Sequence, residues 1–211
     1  MALLVWEDVT WPTFVAGLEG FREHFTRAAR APEPRPEGGA EIVGVLNRWA
    51  CRLSTERAPG ALERWLQGHA AELEGLEPLT ISDPRIPDHA EELGALHDDL
   101  ILRMQSGGVR NMGPAASSKA LYLLQPRLFV MWDKEISRSA PEGYGSYLLQ
   151  MHELAGRLAH EAPTPDVEAF LRKHLGYKTR KTLAKYLDEF NWFEAVGRAF
   201  IPSHHPGRAP S

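Results

Sequence analysis

Apolar residues recur at intervals of three and four positions along most of this chain, and this spacing limits the folds open to it. The first such series is Phe14, Leu18, Phe21 and Phe25, following a helix start at Trp11. Side chains three or four residues apart share one face of an α-helix, so the pattern predicts amphipathic helices. Stretches with the alternating pattern of a strand are scarce. The sequence therefore predicts an all-α fold of about eight helices.

Prolines and glycines indicate where these helices end. A loop is expected over 30–39, which contains three prolines and two glycines, and Asp88 is expected to cap the helix that ends at Gly107. The predicted helices after the first one cover 40–53, 61–76, 89–105, 114–125, 144–160, 165–175 and 179–200. Residues 1–200 are predicted to form a single domain, and residues 201–211 a disordered tail.

Composition excludes several classes of protein. The chain has 211 residues, of which 43% are hydrophobic and 25% charged, as in an ordinary folded domain. A single cysteine, Cys51, excludes an internal disulfide framework and a multi-cysteine metal site. The nine histidines lack the spacing of metal ligands, so we expect no metal and no cofactor. No apolar run reaches the roughly 20 residues that span a bilayer, which predicts a cytoplasmic protein. The oligomeric state is not determined by these features.

A lysine and an aspartate on either side of Pro126 form the strongest candidate for a catalytic site. In SSKALYLLQPRLFVMWDKEIS, Lys119 lies on the flank of an apolar helix face, and Pro126 ends that helix. An extended return over 127–132 spans about 20 Å at roughly 3.3 Å per residue, enough to bring Asp133 level with Lys119. Desolvation lowers the pKa of a lysine and makes its amine a better nucleophile, whereas a carboxylate opposes this. The structural alternative is that Asp133 caps a helix and Lys119 is a partly buried surface side chain.

The segment SSKALYLLQPRLFVMWD resembles the lysine helix, loop and aspartate of the helix-hairpin-helix DNA glycosylase superfamily, over about residues 107–137. It is also similar to a group of uncharacterised bacterial proteins with the motif GPxAASKxLxxLxPxxFxxWD. The superfamily resemblance implies that Lys119 is the amine nucleophile and Asp133 the essential carboxylate in base excision. The hairpin of that superfamily is usually a Gly-x-Gly turn that binds a DNA phosphate. Here Gly113 is present, but Pro114 and Ala115 follow it.

A basic segment near the C-terminus is a second candidate for binding. Six cations precede the acid Asp188 in LRKHLGYKTRKTLAKYLDEF, and Lys178, Arg180 and Lys181 lie at the predicted start of the last helix. A helix N-terminus surrounded by cations suits a phosphate, and Tyr177 could stack on a base. The alternative is a solvated helix face. The net charge of −4 argues against a surface covered in cations but allows a local basic region.

The remaining candidates are aromatic and amide side chains near the acid. Trp132 precedes Asp133, and Asn191 and Trp192 lie on the last helix, so all three are expected to line the substrate site. The leading hypothesis is a helix-hairpin-helix glycosylase-like bundle. It would excise a damaged or modified base from nucleic acid, with DNA as the expected partner, or from a nucleoside. The alternative is a non-enzymatic nucleic-acid or nucleotide-binding module on the same scaffold.

Overall fold

The computed structural model describes residues 6–20, 36–137, 143–178 and 180–195, and the all-α prediction is confirmed for these residues. They form one short 3-10 helix, Trp6–Asp8, and a series of α-helices without any strand. The α-helices are α1 Trp11–Gly20, α2 Gly39–Arg48, α3 Ala58–Gly68, α4 Ala70–Leu76, α5 Ile86–Ser106, α6 Pro114–Leu124, α7 Lys134–Ser137, α8 Tyr144–Glu161, α9 Val167–His174 and α10 Leu183–Ala195. Nine of them have seven or more residues, close to the predicted number.

Two predicted helices have the wrong extent, for backbone reasons. The helix expected over 40–53 ends at Arg48, because Ala50 and Arg52 adopt left-handed φ angles of 62° and 55° that no helix accommodates. The helix expected over 61–76 is two helices, α3 and α4. They are separated at His69, whose φ of −113° and ψ of 14° lie outside the helical region.

Other predicted ends are also corrected. Asp88 does not precede its helix but lies in the first turn of α5, which begins at Ile86 with Pro87 in that turn. The last helix begins at Leu183 instead of Thr179. Its predicted extension over 196–200 and the predicted tail over 201–211 lie outside the described residues, as do Phe21 and Phe25 of the first apolar series.

Helices α5 and α8 make the most extensive of the described helix contacts, and glycines lie where they cross. A Cβ atom built on Gly145 would be 2.6 Å from the carbonyl oxygen of Ala90, and one on Gly94 would be 3.1 Å from the nitrogen of Gly145. The two backbones therefore approach more closely than any side chain at these positions permits. This contact matters for the site because the first turns of α8 carry Tyr144 and Tyr147.

The remaining helices surround this pair and bring three elements together at one place. Helix α6 packs against α5 and α2, while α10 packs against α1, α7 and α8. Phe14 of α1 and Phe190 of α10 lie with their ring centroids 5.0 Å apart in the core. Among the described helices, none combines the length and the apolar composition that a membrane crossing requires. The packing places α10 beside α7 and the segment that follows α6.

We expect Gly145→Ala to lower the free energy of unfolding by about 1–3 kcal/mol, because the added methyl group overpacks the α5–α8 contact. Gly156→Ala on the same helix is the control. No atom lies within 4 Å of its added Cβ, and alanine is the better helix former by about 1 kcal/mol. Urea unfolding followed by circular dichroism measures both. Equal stability of the two variants would contradict the close crossing.

Candidate functional site

Lys119 and Asp133 form an ion pair, so the proximity expected from the sequence is present in the structure. The Nζ atom of Lys119 lies 2.8 Å from Oδ1 of Asp133, and their side chains are 17% and 25% exposed. Lys119 belongs to α6, and Asp133 immediately precedes α7. The pair is therefore partly shielded from water but still reachable by a ligand.

The segment before Asp133 is held in place by its backbone. The Trp132 N–H donates to the Ser118 hydroxyl at 2.9 Å, and that hydroxyl donates to the Ala115 carbonyl at 3.2 Å. Trp132 is bound to Ser118, and the residues that follow each of them are Asp133 and Lys119. The first contact therefore brings the second pair together. A helix and a returning chain are thus aligned by one serine.

Two tyrosines of α8 bind the same segment from its other side. The hydroxyl of Tyr144 donates to the Val130 carbonyl at 2.9 Å, and that of Tyr147 donates to the Met131 carbonyl at 3.1 Å. Both tyrosines are fully buried, and burial raises the pKa of each hydroxyl well above its ordinary value. They therefore remain protonated donors over the whole range of pH in which the protein can work.

The pKa of Lys119 is raised. Desolvation by burial is the largest single influence and lowers it, but the attraction of Asp133 and its hydrogen bond raise it, with smaller contributions from Cys51 and Asp188. The favourable contributions together exceed the desolvation. The resting pair is therefore an ammonium and a carboxylate, and the attack of a neutral amine requires that a proton first leaves Nζ.

A second group of charges lies behind this pair, on and just before α10. Lys181 donates to both carboxylate oxygens of Glu189, at 2.7 and 2.9 Å, and Lys185 donates to Asp188 at 2.6 Å. All four side chains are less than a tenth exposed. We call these four residues the buried charge cluster. Burial raises the pKa of Asp188 and Lys185 opposes this, while Asp133 and Lys119 act on the same carboxyl from the partly exposed pair.

Cys51 lies near Lys119, and Tyr122 lies near Lys185 of the buried charge cluster. Desolvation raises the pKa of the half-buried Cys51 thiol, an effect that Lys119 opposes and Asp133 reinforces. Burial also raises the pKa of Tyr122 to about 12. Both groups are therefore neutral at physiological pH, so Cys51 is not an activated nucleophile here.

The cations predicted to bind phosphate at the last helix lie in different surroundings. Lys181 is buried in its ion pair with Glu189, and only Lys178 and Arg180 are exposed. The N–H of Leu183, at the true helix start, already donates to a carboxylate oxygen of Glu168 at 2.8 Å. The chain thus supplies its own anion at this N-terminus, and Glu189 already binds the Lys181 amine.

The residues predicted to line the substrate site lie mostly in the core. Asn191 is fully buried and uses its amide to bind the Trp6 indole, the Tyr147 hydroxyl and the Met151 sulfur. Trp132 is 7% exposed and stacks on the Tyr147 ring at 5.9 Å between centroids. Asn191 therefore offers no atom to a substrate, and Trp132 supports the site from inside.

Two further predicted residues lie nearer the surface. Trp192 is half-buried. Gly113 precedes α6 with an ordinary φ of −110°, and nothing lies within 4 Å of a Cβ built on it. Its backbone therefore does not require glycine, and the tight glycine turn implied by the resemblance is not formed.

The buried charge cluster was missed by the sequence reasoning, although a signal was present. Its members follow one another at intervals of four, three and one, the spacing of one helix face, with opposite charges three and four residues apart. The surrounding positions are apolar, which leaves no separate polar face for α10. Charges on a helix that is buried all round have to pair with each other.

We expect Lys181→Met and Glu189→Gln each to lower the free energy of unfolding by about 3–5 kcal/mol, because each leaves a buried charge uncompensated. The free energy of unfolding of the double variant should fall by much less than the sum of the two single losses. Chemical denaturation of the four proteins provides the cycle, with exposed Lys178→Met as a control expected within about 0.5 kcal/mol of wild type. Additive losses would show that the two side chains act independently.

The stability contributed by Lys119 should disappear at alkaline pH. Its pKa in the folded protein is raised above the ordinary value of 10.5, so above that pH the folded state keeps a proton that the unfolded chain has released. The contribution is complete below about pH 10.5 and is lost as pH rises through the folded pKa, by at most about 1.4 kcal/mol per pH unit. Urea unfolding from pH 8 to 11.5 should show the advantage of wild type over Lys119→Gln shrinking. A difference in unfolding free energy between wild type and Lys119→Gln that stays constant over this range would contradict the raised pKa.

Comparisons with protein-family models, with curated proteins and with solved structures give no match to this chain. The glycosylase resemblance therefore stays a prediction, and the functional argument depends on the geometry of Lys119 and Asp133.

Proposed function

We propose that the chain is a base-excision-type glycosylase, which acts on a damaged or modified base in nucleic acid or in a related nucleoside. The observation that carries the proposal is the partly exposed Lys119–Asp133 ion pair with its 2.8 Å contact. A primary amine and a carboxylate in contact suit the displacement of a base at an anomeric carbon, since one group attacks and the other accepts a proton.

The reaction begins with a proton transfer along the existing hydrogen bond. Lys119 gives an Nζ proton to Oδ1 of Asp133, which leaves a neutral amine and a carboxylic acid. A bound substrate favours this step, because excluding water destabilises two separated charges more than two neutral groups. The raised pKa of Lys119 means that the step is needed in every catalytic cycle.

The neutral amine then attacks the anomeric carbon of the sugar. The new C–N bond to Lys119 forms as the glycosidic bond breaks, and its electron pair leaves with the base, which takes a proton from the Asp133 acid. The regenerated carboxylate stabilises the positive charge on the sugar. The Asp133 carboxylate then moves a proton from the new ammonium nitrogen to the ring oxygen as the bond between that oxygen and the anomeric carbon breaks. This opening gives a protonated Schiff base, and water adds to it and releases the lysine. The Asp188 carboxylate lies behind the pair and favours the ammonium form of Lys119 when the lysine is released.

The second candidate is a non-enzymatic nucleic-acid or nucleotide-binding module on the same scaffold. The observation that favours it is the start of α6, where Pro114 has no N–H to donate and its carbonyl accepts a hydrogen bond from the ring of the buried His97. A charged Lys119 held by Asp133 would then be a structural pair. In this case binding is expected without turnover.

Borohydride reduction should trap wild-type protein on an oligonucleotide or nucleoside with a damaged base, because hydride converts the Schiff base to a stable amine. The test uses a panel of modified bases and detects the adduct by mass. Lys119→Gln should give no adduct. Asp133→Asn, which has no basic oxygen to accept the proton, should react about 10²–10⁴-fold more slowly.

Lys134→Gln is the matched control, since it removes a lysine next to Asp133 in sequence and should leave trapping unchanged. Base release that persists in Lys119→Gln and depends on Asp133 would replace the amine by water as the nucleophile. Absence of both adduct and base release across the panel would contradict the glycosylase proposal and leave the binding module.

A further inference from the structure

A groove of about 550 Å³ lies between α3 and the C-terminal half of α5, away from the Lys119–Asp133 pair in sequence and on other helices. It is lined by Ala61, Arg64, Trp65, Gly68, His69 and Arg103. Its volume is within the range of about 300–1,000 Å³ that is typical of ligand sites. None of these residues takes part in the proposed excision.

Two of the side chains that line the groove, Trp65 and Arg103, bind the same neighbouring carboxylate, Asp99. Asp99 accepts from the Trp65 indole at 3.0 Å and from the Arg103 Nε atom at 3.2 Å, and it lies 3.4 Å from His69. The His69 ring stacks on Trp65 with centroids 4.6 Å apart. The groove is therefore held open by side chains that bind each other, and the Arg103 side chain, 71% exposed, extends its terminal amino groups into solvent.

Exposed arginines continue from this groove to the turn between α5 and α6. We call them the arginine face, which consists of Arg52, Arg57, Arg64, Arg103 and Arg110. The two segments that carry them are in contact, since the Asn111 amide donates to the Arg52 carbonyl at 3.0 Å and a Cβ on Gly108 would be 3.0 Å from the Arg57 guanidinium.

The arginines on this face are mostly available to an external anion. In the part of the chain that the structure describes, Arg103 is the member of the face with a carboxylate within ion-pair distance. Glu72 lies 4.0 Å from His69, and the exposed Glu56 precedes Arg57 in the sequence, so the face contains five arginines with few carboxylates beside them. This local excess occurs in a chain whose net charge is −4, so it does not reflect a general surplus of cations.

The size and residue type of the face fit a phosphate chain. Arg57 and Arg64 are seven residues apart, or about 10 Å along α3 at 1.5 Å per residue. Phosphates along one nucleic-acid strand follow each other at about 3.4 Å of axial rise, so this length corresponds to about three nucleotides. Guanidinium groups bind phosphate oxygens in a bidentate manner and also stack on bases.

We propose that the arginine face binds the sugar–phosphate backbone of a nucleic-acid strand, with one nucleotide in the groove between α3 and α5. The nature of the partner depends on the proposed function. The location does not, because it follows from the charges and the groove. We therefore propose the arginine face, and not the C-terminal basic segment, as the main phosphate-binding surface. In that segment Lys181 is buried and Glu168 occupies the helix N-terminus.

The test measures the binding of fluorescently labelled 20-nucleotide single strands and duplexes by anisotropy at 50–300 mM NaCl. All proteins carry Lys119→Gln, so that turnover cannot alter the probe. The double variant Arg64→Ser, Arg103→Ser should bind at least 10-fold more weakly at 50 mM NaCl. Its slope of log Kd against log salt should fall by about 1.4–1.8, the value for two lost phosphate contacts. A second variant, Arg57→Ser with Arg110→Ser, leaves Asp99 and its partners intact and should weaken binding in the same way.

Lys178→Ser with Arg180→Ser is the matched control, since it removes two exposed cations and changes net charge equally, and it should alter Kd by less than twofold. The proposal would be overturned if the arginine variants and the control lost affinity equally, or if only the control lost affinity. It would also be overturned if no strand bound at all. Displacement by polyglutamate as effective as by unlabelled DNA would overturn the choice of nucleic acid. Arginine-dependent binding without trapping would remove only the glycosylase proposal, whereas trapping on a free nucleoside without strand binding would remove only this one.

Discussion

Three hydroxyl groups hold the backbone of the segment that leads to Asp133, and the arrangement of the candidate site depends on them. Ser118 accepts the Trp132 N–H, and Tyr144 and Tyr147 donate to the two carbonyls before it. A segment without regular secondary structure has backbone groups that need partners when buried, and each unsatisfied group costs about 1–3 kcal/mol. These contacts satisfy the groups and fix the position of Asp133 at the same time. The close α5–α8 crossing matters because it places both tyrosines.

The charges near this segment form a balanced set in a poorly solvated place. Lys119 pairs with Asp133 near the surface, and two further lysine–carboxylate pairs lie behind them, on and just before α10. Burying a charge is unfavourable unless an opposite charge accompanies it, so the equal numbers are what allow α10 to be buried. The same balance keeps Lys119 protonated at rest. Any chemistry by its amine therefore depends on a transient proton transfer to Asp133.

Two basic regions of similar composition have different structural roles. Near the C-terminus, Lys181 forms a buried ion pair with Glu189. Glu168 binds the helix start that the cations were expected to surround. On α3 and the α5–α6 turn, arginines stay exposed beside the groove. Cations in sequence favour a binding surface where folding leaves them without internal carboxylates. Among the described residues, Arg103 is paired with Asp99, but the other four arginines of the face have no carboxylate within ion-pair distance, which makes this region the better candidate for binding phosphates.

The sequence by itself determined the helical architecture, the break at Pro126 and the reach that brings Asp133 to Lys119. These depend on local rules: the periodicity of apolar residues, the geometry of proline and the length of an extended chain. Helix ends at Ala50 and His69 were not predictable, since neither residue type signals a break. Tertiary structure alone decided that Asn191 and Lys181 are buried and that Lys119 keeps its proton. The reason is that burial depends on which distant side chains meet. Asn191, for example, binds Trp6, Tyr147 and Met151, which lie 40 or more residues away along the chain.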